Sequence, residues 1–299
     1  MFGWIYRLYC RIPYRERSLA YRWSTRAIEA AVPWMLRLRL SRPHLRNGHR
    51  RVIVSLTSFP ARIHLVDRVV ESILYGNVHP DAIVLWLSQD EFPSESTLPP
   101  ALRALQRRGL TITLVPGNLK PHKKYLYAFS AYPDHHVITI DDDALYPPSL
   151  VHDLLAHHHH YPNTIIATRA RRIIVQGERF APYRTWSSVV GLHPPSEHLL
   201  PVGVGGVFYP AGSLSGRTFD HTMIESIALH ADDLWLKFAN ENRAIKTICV
   251  GSTASRRTIP IRAALNTAAL SDQNVTQSHN DIVLQRLLDA RIVDLDRYR

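Results

Sequence analysis

Cysteine is scarce in this chain of 299 residues: it has two, Cys10 and Cys249, separated by most of its length. Two distant thiols offer neither a disulfide framework nor the paired spacing of a zinc site, and a reducing, cytosolic compartment fits them best. Long apolar runs are missing too. No stretch approaches the roughly 20 residues needed to cross a bilayer, and Arg7 and Arg11 interrupt the apolar core a secretory signal would need. There is no phosphate-binding P-loop and no serine nucleophile elbow. Gly203, Gly205 and Gly206 cluster in VGVGGVFY, but their spacing is not that of a dinucleotide fingerprint. Acids are almost absent from the start of the chain. Residues 1–51 hold twelve arginines, no lysine, and only Glu16 and Glu29, so this segment carries +10 of the formal +11.

What that segment does have is large apolar residues between the arginines, among them Trp4, Tyr6, Tyr9, Tyr14, Trp23 and Trp34. Such a mixture suits a helix lying in an anionic membrane surface, where each basic residue contributes about 1 kcal/mol. It also suits packing of the apolar side onto the rest of the protein. Nucleic-acid binding is the least expected of the three uses. The chain therefore reads as a basic, aromatic-rich segment over 1–50 and a near-neutral domain over 51–299. A cytoplasmic protein, peripheral on the inner face of the plasma membrane, is the expected placement. With 45% hydrophobic and 20% charged residues, the chain can bury a sizeable core.

From Arg51 onward, short apolar runs alternate with helix-like stretches. RVIVSLTSF (51–59), DAIVLWLS (81–88), LTITLV (110–115) and VITI (137–140) read as buried strands. Between them lie helical patterns at 65–75, at 102–108 with Gly109 as the stop, and at 122–132. Four strands with three crossovers predict right-handed βαβ units and a mostly parallel, Rossmann-like sheet flanked by helices. Ligands in such sheets bind beyond the carboxyl ends of the strands. Thr57 to Arg62, Ser88 to Glu91 and the residues after 140 should then line one crevice. Farther on, 164–168 and 245–250 read as strands, 173–175 as a possible one, and 219–229, 232–240 and 279–288 as helices. Residues 179–195 read as a loop or lid, and 252–277 as a loose stretch.

The fourth strand runs straight into Asp141, Asp142 and Asp143. Side chains alternate along an extended segment, so Asp141 and Asp143 share one side and Asp142 points away. Two carboxylates converging at a strand's edge repel unless a cation sits with them. Mg²⁺ or Mn²⁺ removes that conflict and commonly bridges carboxylates to a diphosphate. Capping of the next helix is the plainer alternative.

Asp232 and Asp233 open another predicted helix, either as ordinary caps or as a second acidic group able to deprotonate a hydroxyl. Lys120, Lys123 and Lys124 lie between the third strand and its helix, and Arg62 lies after the first strand. Each can meet a phosphate or form a solvated turn. His279 can swing in as a metal ligand. Trp186 can stack on a sugar face or pack under its loop. His157 to His160 point around a helix and cannot converge on a metal.

The ordered set VIVSLTSFPARI, KPHKKYLYAFSAYPDHHVITIDDDALYPPSLV, VGVGGVFYP and HADDLWLKFAN resembles a glycosyltransferase of the GT-A type, similar to the bacterial family-2-like enzymes that build surface polysaccharides. The resemblance spans residues 51–290. It implies a GT-A-like domain, a nucleotide-sugar donor (a UDP-sugar first), a glycan or lipid-linked acceptor, and Mn²⁺ or Mg²⁺. By that resemblance Asp141, Asp142, Thr57 and Arg62 contact the donor and Asp143 holds the metal. Asp233 is the favoured base, with Asp232 beside it, and Gly205 and Gly206 lie on the acceptor side. The residues' own settings add Lys123 to the donor side, His279 to the metal and Trp186 to the acceptor side. A nucleotidyltransferase, or a non-catalytic membrane- or nucleic-acid-binding protein, are the alternatives.

Overall fold

The computed structural model describes residues 51–189, 191–242, 244–251, 258–261 and 279–299, together with nine helical positions of the N-terminal segment. Four strands, β1 (Val52–Thr57), β2 (Ala82–Ser88), β3 (Leu110–Val115) and β4 (His136–Thr139), fall where the apolar runs predict them. Helices α1 (Val66–Leu74), α2 (Pro100–Ala104) and α3 (Lys123–Ala131) form the crossovers. Gly109, at φ 104°, ends the turn that extends α2, in the left-handed conformation glycine adopts without strain. All four strands are parallel, in the spatial order β4-β1-β2-β3.

The rest of the main sheet is β5 (Thr164–Ala167), β6 (His193–Ser196), β7 (Val207–Tyr209) and β8 (Lys246–Cys249). The full order is β6-β8-β5-β7-β4-β1-β2-β3. β5 and β8 are parallel to each other, whereas β7 runs antiparallel between β4 and β5, and β6 antiparallel to β8. The fold is α/β with a mostly parallel sheet, as the alternation predicts.

The sheet buries both faces. Val52, Val54 and Leu56 point to one side, against α1 and α4 (Leu150–His160). Ile53, Val84 and Val137 point to the other, against α3, α5 (Asp232–Phe238) and α6 (His279–Asp289). Tyr6 and Tyr9 of the basic segment are buried in the first of these clusters, whereas Trp23 is exposed. The membrane-surface expectation for residues 1–50 otherwise lies outside the described residues, as does most of 252–277. No described helix is long and apolar enough to cross a membrane.

Two readings change. The 179–195 stretch is built and packed, not an open lid: Arg179–Phe180 pairs with Val175–Gln176, Tyr183–Thr185 forms a 3-10 turn, and Phe180, Tyr183 and Trp186 are buried. VGVGGVFY is not one strand. Only Val207–Tyr209 pairs, because Gly205 and Gly206 take φ of 103° and 97° and turn the chain at the sheet's carboxyl edge.

Candidate active site

The chain builds outward from β1 to β2 and β3, then returns to place β4 on the other side of β1. That reversal leaves a crevice beyond the carboxyl ends of β1 and β4, where open α/β sheets take their ligands. A cleft of about 370 Å³ lies there. It is lined by Thr57, Ser58, Phe59 and Arg62 after β1, Glu91 after β2, Asn118, Lys120, Pro121, Lys123 and Lys124 after β3, the Asp triplet after β4, and Asp232 and Asp233 at the start of α5. The three predicted loops do meet in one place.

Alternation along the triplet is as expected. Asp142 turns inward, 6% exposed, and accepts hydrogen bonds from Ser58 Oγ at 2.5 Å and Arg62 at 3.1 Å. Asp141 and Asp143 open to the cleft. The Tyr146 hydroxyl accepts the Asp141 backbone N–H at 2.7 Å and so sets the exit of the chain from β4. Arg62 also reaches Asp143 at 3.0 Å and thus clamps two of the three carboxylates. Burial, reinforced by Asp141 and Asp142, still pushes the Asp143 carboxyl up to about 6. Asp142 is also raised, because burial outweighs its Ser58 and Arg62 bonds.

Across the cleft, Lys124 joins the two acidic groups. Its ammonium lies 2.9 Å from Asp141 and 2.9 Å from Asp232. Its backbone is fixed to the sheet by the Ser55 hydroxyl, which donates to the Lys124 carbonyl and accepts the Trp86 indole N–H at 2.9 Å. Burial opposes the lysine's charge, yet Asp141, Asp232 and Asp233 outweigh it and hold the group well above the ordinary lysine range. Asp232 is also opposed by burial, but Lys124 prevails and keeps it below the usual carboxylate range. Asp233 has no such partner. Both its oxygens accept the Gly203 N–H at 3.1 Å, and burial plus the charge of Asp232 push it up to about 8. Adjacent aspartates thus hold opposite protonation tendencies, which is how an acid–base pair is differentiated.

Some predicted site residues line the cleft and others do not. Lys123 lines the cleft but bonds Asn118 at 2.7 Å, and it is the neighbouring Lys124 that reaches the carboxylates. Thr57 lines the cleft, with its hydroxyl donated to the Trp86 carbonyl at 2.7 Å. Trp186 does not face a ligand: it is 1% exposed, packs on Phe180 and Tyr183, and donates its indole N–H to the Ala181 carbonyl. Gly205 and Gly206 face away, because a Cβ on either would strike Thr168 or Leu150. Gly203 is the glycine at the site, where a Cβ would sit 3.3 Å from Asp233, 3.4 Å from Lys124 and 3.5 Å from Asp141. His279 is not brought to the carboxylates as a third ligand; its ring lies 6.1 Å from that of His230. Ser58, Tyr183 and Asn280 are cleft residues the sequence did not single out, and Gly203 was named there only with its neighbouring glycines. Ser58 alone had a usable signal, since it stands within the loop after β1.

The carboxylates suit a hard divalent cation. Six acids and four lysine or arginine side chains line the cleft, a formal excess of two acids, and Asp143 is both open and reluctant to ionise alone. Among the described residues no set of three His, Cys, Asp or Glu side chains is arranged to hold a metal. The fit is therefore to an ion such as Mg²⁺ that takes one or two carboxylates and draws its other oxygens from phosphate and water.

No protein-family model and no characterised protein sequence matches the chain. Among solved structures, the chain is similar to an apo UDP-glucose pyrophosphorylase at 8% identity and a TM-score of 0.41, over 76% of this chain and 98% of that one. It is similar to glucosyl-3-phosphoglycerate synthase from Mycobacterium tuberculosis in complex with Mn²⁺, UDP and glucosyl-3-phosphoglycerate, at 14% identity and a TM-score of 0.44, over 83% and 86%. It is also similar to residues 1–349 of S. aureus TarS, at 14% identity and a TM-score of 0.43, over 79% and 69%. The class that fold and site define rests on the chain's own features: a mostly parallel α/β sheet with a carboxylate-lined cleft at its switch point.

Proposed function

We propose that the protein is a metal-dependent glycosyltransferase. It would move a sugar from a nucleotide-sugar donor, a UDP-sugar first, to a hydroxyl of a glycan or lipid-linked acceptor, with inversion, in cell-surface polysaccharide synthesis. The observation that supports this most is the pair of acidic groups facing each other across one cleft, joined by Lys124, with Asp143 sharing one guanidinium with Asp142 and both Asp143 and Asp233 raised by burial. Asp143 would hold Mg²⁺ or Mn²⁺ together with the donor diphosphate. Bound there, the ion offsets charge on the departing nucleoside diphosphate. Arg62 keeps Asp142 and Asp143 in register, and Lys123 and Arg62 stand on the donor side. Asp233 takes the proton of the acceptor hydroxyl as that oxygen bonds to the anomeric carbon and the bond to the diphosphate breaks. Asp232, held ionised by Lys124, orients the lysine and does not compete for the proton.

The test begins with a screen of sugar nucleotides against methyl glycosides, with and without Mg²⁺ or Mn²⁺. Release of nucleoside diphosphate together with a glycosylated product supports the reading. Exchange of pyrophosphate with the sugar nucleotide would instead make the protein a nucleotidyltransferase. UDP should raise the melting temperature only when the metal is present. Asp143→Ala should lose that shift and all donor turnover while keeping its fold; stabilisation by UDP that persists in chelator would refute the assignment.

Two glycine substitutions should separate site from scaffold. Gly203→Ala places a methyl 3.3 Å from an Asp233 oxygen, which must give by a few tenths of an ångström, and against Lys124 and Asp141 at ordinary contact distance. Transfer should fall about tenfold or more with little change in melting. Gly205→Ala meets a φ of 103° and a Thr168 hydroxyl 2.2 Å from the new Cβ, so it should cost roughly 1–3 kcal/mol of stability. Kinetics and thermal melts of both variants check this, and equal effects on both readouts would mean Gly203 is scaffold as well.

A further inference from the structure

Two polar side chains face the cleft with hydrogen-bonding groups that no described residue takes up. Tyr183 and Asn280 are each 6% exposed, and both line the cleft. Among the described residues neither the Tyr183 hydroxyl nor the Asn280 carboxamide makes a hydrogen bond. Neither group is sealed from solvent: both open into the cleft, where water or a ligand completes them.

The two are held together by design of the backbone. Asp281, next to Asn280 on α6, accepts the Tyr183 backbone N–H at 2.7 Å and so ties the 183–185 turn to that helix. The Tyr183 ring is fixed on two sides as well. The Arg171 guanidinium lies 4.9 Å from its centroid and the Trp186 ring 5.3 Å away. The ring has little freedom to find another partner. Burial, then the charge of Asp233, holds the phenol proton firmly, so the group stays a hydrogen-bond donor. The carboxamide supplies both a donor and an acceptor.

The Arg171 guanidinium against the Tyr183 ring donates to the Trp186 carbonyl at 3.0 Å and does not line the cleft. Lys124, the cation nearest to Asp233, is already shared between Asp141 and Asp232. A phosphorylated or carboxylated group placed here would meet Asp232 and Asp233 without a spare positive charge. A sugar ring suits it, since its hydroxyls both give and accept hydrogen bonds.

We propose that Tyr183 and Asn280 form the acceptor subsite of the cleft, binding adjacent hydroxyls of a neutral sugar ring next to Asp233. The proposal rests on the glycosyltransferase reading for the identity of the ligand as acceptor, but the binding itself can be measured separately. The full chain, Tyr183→Phe, Asn280→Ala and Asn280→Asp are titrated with methyl glucoside, methyl galactoside, methyl mannoside and methyl rhamnoside, with UDP and Mg²⁺ present. Glucose 6-phosphate serves as the charged comparison. Thermal melts confirm that each variant folds, and two Asn280 variants guard against one that does not.

At least one methyl glycoside should bind the unaltered chain in the millimolar range. Each of Tyr183→Phe and Asn280→Ala should weaken that binding up to about tenfold, the loss of one neutral hydrogen bond. UDP affinity should stay within about twofold. Equal binding to all variants, preference for glucose 6-phosphate, or no binding of any glycoside at 100 mM overturns the subsite. The two readings fail separately. UDP and metal binding without glycoside binding leaves the donor site standing alone. Glycoside binding that depends on Tyr183 and Asn280, without UDP binding, leaves a sugar site and removes the transferase.

Discussion

Asp233→Asn should nearly abolish transfer and, at the same time, make the protein harder to melt. The carboxyl is buried beside the charge of Asp232 and holds its proton up to about pH 8. An unfolded aspartate releases its proton near 4. Between those values the folded state binds the extra proton, so stability falls as pH rises through the window and levels off above about 8. Asparagine keeps the shape and an oxygen for the Gly203 N–H but has no proton to lose. The variant should therefore gain stability over the parent, by an amount that grows from pH 4 to 8 and reaches the order of a few kcal/mol. Transfer should fall by roughly 10² to 10⁴, the usual contribution of a positioned base. The parent's kcat/KM should rise with pH along a limb that reports the Asp232–Asp233 pair as a unit. Thermal melts across pH, with kcat and KM for Asp233→Asn and Asp232→Asn, decide the matter. If Asp232→Asn is the variant that loses kcat, the two roles are exchanged; if neither does, the base lies elsewhere.

The parallel half of the sheet was legible because fully buried strands need near-continuous apolar residues. VIVSLT, AIVLWLS and LTITLV could hardly be anything else between helical patterns. Alternation made Asp141 and Asp143 distinguishable from Asp142 for the same elementary reason. β7 was not legible as a short antiparallel insert: it has three residues, and the conformation of the glycines before it depends on neighbours distant in sequence. Gly203 differs from Gly205 and Gly206 only in what surrounds it, here Asp233 and Lys124 against Thr168 and Leu150. Trp186 illustrates a related ambiguity, since an indole in a polar-looking loop suits a sugar platform and a core anchor equally. Tyr183 and Asn280 lie 97 positions apart in the chain and meet only through Asp281, a contact that no local pattern encodes.

Lys123 and Lys124 pose the sharpest contrast, because adjacent lysines at the start of one helix should respond in opposite ways. Their side chains diverge by about 100° on a helix, so only one can point between the acidic groups. Lys124 does, and removing its charge as Lys124→Met leaves the largely buried Asp232 and the cleft-facing Asp141 without their shared cation. Breaking a buried pair in this manner costs on the order of 3–5 kcal/mol. Asp232 then loses the cation that holds its pKa down, so the variant should regain stability on acidification as that carboxyl takes up a proton. Lys123 bonds only the neutral Asn118, and burial lowers its ammonium to about 8. A lysine lowered in the folded state binds its proton less tightly there than when unfolded. Its charge thus costs stability in full below about pH 8, and the cost fades from there to the ordinary lysine range, above which both states are neutral. Lys123→Met should be neutral or stabilising at pH 7 and should act instead on UDP affinity, if this ammonium serves the donor. Melts at pH 5.5, 7 and 8.5, with UDP titrations in Mg²⁺, separate the two. A large loss of stability from Lys123→Met, or an unchanged melt from Lys124→Met, would mean that the charge balance of the cleft is organised by other residues.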